Sequence, residues 1–83
     1  MSVTATTRAT IPNEVTAVVG QVESGVGMMY MGTDQGDIWK FNQATYAYAL
    51  VKNVGGKILS MMLYSGILYV TVAGGKIFTV TTY

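Results

Sequence analysis

Apolar residues along this chain occur in short runs rich in β-branched and aromatic side chains, and turn residues such as Gly, Asn and Asp separate the runs. No stretch places its apolar residues at the three- and four-residue spacing of an amphipathic helix. The pattern therefore predicts an all-β chain of eight strands joined by hairpin turns. The predicted strands cover residues 3–10, 15–22, 28–33, 37–41, 45–51, 57–64, 67–73 and 76–82.

The predicted strands are apolar on both faces. In the run LYVTV, the alternate residues Leu68, Val70 and Val72 share one face, while Tyr69 and Thr71 share the other. A sheet with one face in water alternates apolar with polar residues, whereas nearly continuous apolar strands indicate a sheet covered on both sides. We therefore expect sheets that are packed between other sheets, rather than a sandwich with two wet faces.

One stretch of the sequence returns with changes. MYMGTDQGDIWKF, which begins at Met29, comes back 39 residues later as LYVTVAGGKIFTV, which begins at Leu68. The two copies share a tyrosine, a glycine and an isoleucine at matching positions: Tyr30 and Tyr69, Gly36 and Gly75, Ile38 and Ile77. This spacing is close to the ~40–45 residues of a four-stranded propeller blade.

The pattern G-x-[LM]-Y-[VM]-x-x-x-x-G-x-I-[WF], read from Gly27 to Trp39 and from Gly66 to Phe78, resembles blades of the β-propeller superfamily. The resemblance covers most of the chain, but the Gly-His and Trp-Asp pairs of WD repeats are absent. It implies two four-stranded antiparallel blades, a first one over residues 13–51 and a second one over 55–83. It implies a fold and does not transfer a function.

The second blade, counted this way, lacks its outermost strand. The threonine-rich segment 2–10 has no counterpart after it, and we expect it to complete the second blade by pairing with 76–82. Residues 1–83 then form a single two-bladed unit, although a piece of a larger propeller is the alternative. Two blades cannot close a ring, so we expect a homo-oligomer, preferably six blades from three chains, with four chains as the other possibility. Small fucose-binding lectins of bacteria and fungi are similar in architecture.

Composition supports assembly. The 83-residue chain is 51% hydrophobic and only 11% charged, against about 25% charged residues in an ordinary soluble domain. A chain of this size has a small core of its own, and it contains no cysteine or histidine that could add disulfides or the commonest zinc ligands. Association with further copies is the remaining way to cover the apolar surface.

The absence of histidine and cysteine also limits the catalytic chemistry that the chain can perform. Without histidine or cysteine the chain cannot build a Ser-His-Asp or Cys-His arrangement. Asp34 and Asp37 flank a tight turn, and their counterparts in the second copy are Ala73 and Lys76, so a carboxylate pair is not part of the repeated design. We expect no catalytic residues, no metal site and no cofactor.

Two classes of partner are also not expected. The uncharged stretch from Ile58 to Gly75 approaches the length of a membrane span, but Ser65-Gly66 is a turn signal in its middle. A net charge of +1 without a basic cluster does not suit nucleic acid. A membrane and a nucleic acid are therefore both set aside.

Charged residues are unevenly placed. In a propeller, the loops that precede innermost strands and the turns between second and third strands share one rim, and seven of the nine charges fall at or next to it, whereas Glu23 and Lys40 do not. The sequence predicts a non-catalytic binding or interaction module that presents this rim to a protein partner or larger assembly. The predicted rim residues are Asn13, Glu14, Asp34, Gln35, Asp37, Lys52, Asn53, Lys57 and Lys76, with Arg8 nearby.

A lectin is the alternative function. Aromatic side chains stack on sugars, and Trp39, Tyr46 and Tyr48 are the candidate platform in clefts between blades. The sugar sites of the similar lectins combine arginine, glutamate and tryptophan, of which this chain has one arginine, Arg8, and one tryptophan. The same aromatic residues also suit packing between blades, and that interpretation stays open beside the sugar site.

Overall fold

The computed structural model describes residues 3–82, and every regular element in this range is a β-strand. β1–β4 form a four-stranded sheet and β5–β7 a three-stranded sheet, each in chain order with antiparallel neighbours. The all-β prediction is confirmed. The strands are β1 (Val15–Glu23), β2 (Val26–Thr33), β3 (Asp37–Asn42), β4 (Tyr48–Asn53), β5 (Ile58–Tyr64), β6 (Ile67–Val72) and β7 (Lys76–Thr81).

The N-terminal segment differs from the prediction. Residues 3–10 form no strand in this chain, and within the described range the three-stranded sheet ends at β7 without a fourth strand. Residue 2 lies outside the described range. Residues 3–11 are called the arm below, and its part from Thr6 to Ile11 lies against the side of the four-stranded sheet that faces away from the three-stranded sheet. Within the described range, the arm does not pair with β7.

The fourth strand starts later than predicted. The expected strand 45–51 begins at Tyr48, because the preceding residues form a wide turn. The Asn42 side-chain oxygen accepts hydrogen bonds from the backbone N–H groups of Ala44 and Thr45, at 2.8 and 3.0 Å. Tyr46 then adopts a φ of +64°, which is incompatible with an extended strand.

The core lies between the two sheets. β1 runs beside β5, and the Thr16 hydroxyl donates a hydrogen bond to the Ile58 carbonyl across the junction. The inner faces of both sheets supply one cluster of buried side chains, and partly buried residues such as Val19 and Phe78 pack around it. The cluster consists of Tyr30, Ile38, Ile58, Leu68, Val70 and Val72.

The two inner hairpins differ in length. β1 and β2 have nine and eight residues, whereas β5 and β6 have seven and six. Each hairpin closes with a Ser-Gly turn in which both φ angles are positive, Ser24-Gly25 in the first and Ser65-Gly66 in the second. Gly27 lies inside β2 while Gly66 lies in a turn, so the first glycine of the sequence pattern falls in two different places.

The outer faces are also apolar. The four-stranded sheet carries two cross-strand rows on the side under the arm, and the three-stranded sheet carries exposed side chains on the side away from the core. The rows are Val18, Met31, Trp39 and Leu50, and Gly20, Met29, Phe41 and Tyr48. The exposed apolar side chains of the other sheet include Met62, Tyr64 and Ile77.

Candidate functional site

The predicted rim is a connected set of loops around one carboxylate. Asp37 begins β3, and it accepts hydrogen bonds from the Asn13 amide at 2.7 Å and from the Asn53 amide at 2.8 Å. Asn53 also donates to the backbone carbonyl of Gln35, at 3.2 Å. The structure thus brings together Asn13, Gln35, Asp37 and Asn53 from three separate segments of the chain.

Backbone hydrogen bonds hold the same loops together. The N–H of Asp34 donates to the carbonyl of Glu14 at 3.0 Å, and the N–H of Val54 donates to the carbonyl of Gly36 at 2.9 Å. Gly36 has a φ of +86°, and a Cβ there would lie 2.8 Å from the backbone nitrogen of Gly56. The turn between β2 and β3 is therefore fitted closely against the linker between β4 and β5.

The remaining predicted rim residues stand apart from this network. Glu14, Lys52, Lys57 and Lys76 are exposed, and none of them forms an ion pair within residues 3–82. Asp34 is half-buried, and its Oδ1 atom is buried without a hydrogen-bond partner in the described part of the chain. The rim consequently combines a hydrogen-bonded amide-carboxylate network with four exposed charged side chains, three lysines and Glu14.

Residues 3–82 contain no group of three or more Asp, Glu, His or Cys side chains arranged to hold a metal ion. Both oxygens of Asp37 already accept hydrogen bonds from side-chain amides.

Across residues 3–82, no helix has the length and apolarity needed to cross a membrane.

The aromatic platform forms on the outer face of the four-stranded sheet. The rings of Trp39 and Tyr48 are 6.0 Å apart between centroids, and those of Phe41 and Tyr46 are 6.2 Å apart. The indole Nε1 of Trp39 is buried, with no hydrogen-bond partner among residues 3–82. Trp39 is thus on the opposite side of the sheet from the cleft between the two sheets of this chain, whereas Tyr48 also lines a small opening of that cleft beside Met28.

The arm contributes a cation to this platform. The Arg8 guanidinium lies 4.4 Å from the centroid of the Tyr46 ring, a cation–π geometry. A cavity of about 470 Å³ remains between the arm and the sheet, lined on the sheet side by Met29, Met31 and Phe41. The arm therefore covers the centre of the outer face without packing closely against it.

A polar cluster at the opposite end from the rim was not predicted. The Lys40 ammonium donates to the Glu23 carboxylate at 2.7 Å, the Gln21 amide donates to it at 2.5 Å, and the buried Tyr30 hydroxyl donates to it as well. Glu23 and Lys40 are the two charges that the sequence predicts away from the rim, and they pair with each other. Arg8, which was expected next to the rim, instead lies against Tyr46 in the turn between β3 and β4.

These contacts shift three pKa values. Burial tends to raise the pKa of Glu23, but hydrogen bonds from Lys40, Tyr30 and Gln21 outweigh it, so that pKa is lowered. Burial, followed by the hydrogen bond to Glu23, raises the pKa of Tyr30. The hydrogen bond to Glu23 raises the pKa of Lys40 against the opposing effect of burial.

The sequence contained a signal for this cluster. Lys40 is a cation in the middle of an apolar strand, on the face that points into the core beside Tyr30. Such a side chain requires a partner, and Glu23 is the acidic residue at that end of the sheet. Combining strand register with charge would have paired the two residues.

Comparison of the chain with protein-family models, with curated proteins and with solved structures finds no match. The similarity to propeller blades therefore rests on the sequence pattern. It remains a prediction, as do the assembly and the function that follow from it.

Proposed function

We propose that this protein is a non-catalytic interaction module, in which copies associate into a closed ring of sheets and the rim binds a partner. The ring is of the β-propeller type, with three two-bladed chains as the preferred number. In this arrangement the arm of one copy supplies the fourth strand beside β7 of its neighbour. The rim network lies at one end of the four-stranded sheet, beside the linker to β5, and the symmetry of the ring would repeat it.

The observation that carries the proposal is the pair of apolar outer faces, of which the arm covers only the centre of one. Val18 and Leu50 on the four-stranded sheet are 54% and 51% exposed, and Ile77 on the three-stranded sheet is 68% exposed. These faces point in opposite directions from the shared core, so two copies can stack head to tail. Faces of this kind mark surfaces of association in soluble proteins.

The exposed lysines of the rim favour a partner with acidic groups. Its acidic centre, Asp37, already receives two amide donors, whereas Lys52, Lys57 and Lys76 are exposed. Loops held rigidly on a sheet are the usual carriers of binding residues. In a ring of three chains, these lysines form a repeated cationic pattern around one face.

Two measurements test the proposal. Multi-angle light scattering should give the mass of a closed oligomer, and a stable monomer with native β circular dichroism would contradict it. Binding of fluorescent poly-L-glutamate at low salt should weaken about tenfold when Lys52, Lys57 and Lys76 are all replaced by Gln. The control, Glu14→Gln, removes a negative charge from the same rim and should bind at least as tightly as wild type, whereas equal affinity of wild type and the triple variant would remove the rim as the binding surface.

The second candidate function is lectin-like carbohydrate binding. It is favoured by the tilted pair of Trp39 and Tyr48 on a face that becomes an inter-sheet cleft when a second copy packs there. A glycan array is the direct test. Multivalent sugar binding that Trp39→Ala abolishes in a protein that still assembles would support the lectin, and no binding across the array would reject it.

A further inference from the structure

The arm and a second copy compete for the same surface. In the free chain, the arm lies over the middle of the outer face of the four-stranded sheet, where Met31 and Phe41 are only 7% and 8% exposed. These two side chains are buried although they lie outside the main core cluster. Their cover consists of the arm and, beside Phe41, the Tyr46 ring, while both ends of the same rows remain open to solvent.

The cover is weakly held. Residues 3–8 and 10 of the arm are exposed, only Ala9 and Ile11 are half-buried, and a cavity remains beneath them. The specific side-chain contact that holds the arm is the cation–π contact of Arg8 with Tyr46. An exposed contact of this kind is weak, and a cavity leaves the surrounding atoms without dispersion partners.

A second copy offers a better cover. The outer face of its three-stranded sheet carries Met62, Tyr64, Tyr69 and Ile77, and Lys76 is the one charge in the three strands. Within each chain, the inner faces of the two sheets already pack in this manner around Tyr30 and Leu68. Packing outer face against outer face continues the same stacking of sheets from one copy to the next and is head to tail.

We propose that the arm is an intramolecular cover of this docking face, which must be displaced before the three-stranded sheet of a second copy can pack there. The inference rests on the proposed ring and adds a control step to it. The displaced arm is then free to pair with the unpaired edge of β7, a strand of six residues, in the neighbouring copy. Assembly is accordingly slowed by the arm contacts that the free chain must first break.

The test compares association rates. Protein unfolded in urea is diluted into buffer at several concentrations, and the second-order association step is followed by light scattering. Arg8→Ala and Tyr46→Leu remove the cation–π contact, so association should become about two to five times faster, the factor that an exposed contact of this kind contributes to an equilibrium. Lys57→Ala removes an equal charge elsewhere and Tyr46→Phe keeps the ring, and both should associate at the wild-type rate.

A second readout does not require assembly. Ile77→Glu is expected to keep the chain monomeric, and in that background hydrogen peroxide should oxidise Met29 and Met31 faster when Arg8→Ala is added. Mass spectrometry of the peptides reports this difference.

The outcomes separate the two proposals. If Arg8→Ala and wild type associate at equal rates and the methionines oxidise equally, the arm is not a cover, while the ring stands. A wild-type chain that stays monomeric at every concentration contradicts the ring and the competition together, whatever the oxidation rates are.

Discussion

Lys40 and Glu23 illustrate how one charge is accommodated inside an apolar strand. Lys40 lies across from Tyr30 on the core side of the sheet, and its Nζ atom is 5.7 Å from the centre of the Tyr30 ring. A carboxylate at the hairpin end accepts donors from both side chains. These polar groups therefore lie at the hairpin end of the core, opposite the rim, and not within the core.

Replacing Lys40 by Met should destabilise the chain. The variant keeps the length of the side chain but leaves the partly buried Glu23 without its cationic donor, and the free energy of unfolding should fall by about 1–2 kcal/mol. Urea denaturation measures the change. Lys57→Met, at an exposed position without an ion pair in the described chain, is the control, and an equal effect of both variants would contradict the role of the cluster.

The same cluster predicts a dependence of stability on pH at both extremes. Because the pKa of Glu23 lies below its ordinary value of 4.5 in the folded chain, its contribution is present above pH 4.5 and is lost as the pH falls through the lowered value. Because the pKa values of Tyr30 and Lys40 lie above 10.0 and 10.5, their contributions are present below pH 10 and are lost as the pH rises through the raised values.

Glu23→Gln should flatten this profile. A series of thermal melts between pH 2 and 12 should show a shallower acid limb for the variant, and a shallower alkaline limb as well, since Tyr30 and Lys40 both lose the carboxylate. Parallel profiles for wild type and variant would show that other groups control the pH dependence.

At the scale of elements, the rim depends on a turn and a linker that lie very close together. Gly36 and Gly75 occupy the two turns that precede β3 and β7, and their φ angles are +86° and +82°. A Cβ at Gly36 would contact the backbone of Gly55 and Gly56, whereas a Cβ at Gly75 would meet nothing within 4 Å. Comparing substitutions at these two glycines therefore distinguishes the cost of backbone strain from the cost of steric crowding.

Substituting each glycine by Ala tests the close fit. Gly75→Ala should cost about 1–2 kcal/mol of unfolding free energy, the strain of a left-handed backbone. Gly36→Ala should cost about 1–3 kcal/mol more, because the turn and the linker must move apart. Chemical denaturation compares the two, and equal losses would mean that the rim loops are loosely packed.

Seven strands follow from short runs of β-branched and aromatic residues between turn residues, which are properties of neighbouring residues. The arm does not follow from them, because 3–10 has the composition of a strand but pairs with no strand of its own chain. Tyr46 has strand propensity too, yet the backbone N–H groups of Ala44 and Thr45 donate hydrogen bonds to the Asn42 side chain and hold the preceding residues in a turn. The rim network around Asp37 was predicted as a surface, but its internal amide bonds depend on loop geometry that composition does not contain.

At the scale of the whole molecule, the outer face of the three-stranded sheet is the half of the proposed interface that the arm leaves free. Ile77 is 68% exposed at its edge strand, and Tyr64 is 67% exposed on the adjoining hairpin. A single chain gains nothing from these positions, because they face solvent. In the proposed ring, the outer face of a second copy would cover them.

Ile77→Glu should therefore abolish assembly without unfolding the chain. The introduced carboxylate stays in water in the single chain, but it would be buried without a partner between two copies. Light scattering should then give a monomer, while circular dichroism keeps its β signal. Lys57→Glu changes a charge outside this face and should assemble normally. An assembled Ile77→Glu protein would exclude this face from the interface.

The unequal hairpins affect the symmetry of such a ring. Two additional residues on β1 and on β2 extend the first hairpin by about 7 Å beyond the second, at the end opposite the rim. In a ring of three chains, long and short hairpins alternate, so this side has three projections with Glu23 near each tip. Six sheets of similar outline would then have only threefold symmetry in their surface residues. A partner that recognises the projections would bind at three equivalent sites on the ring.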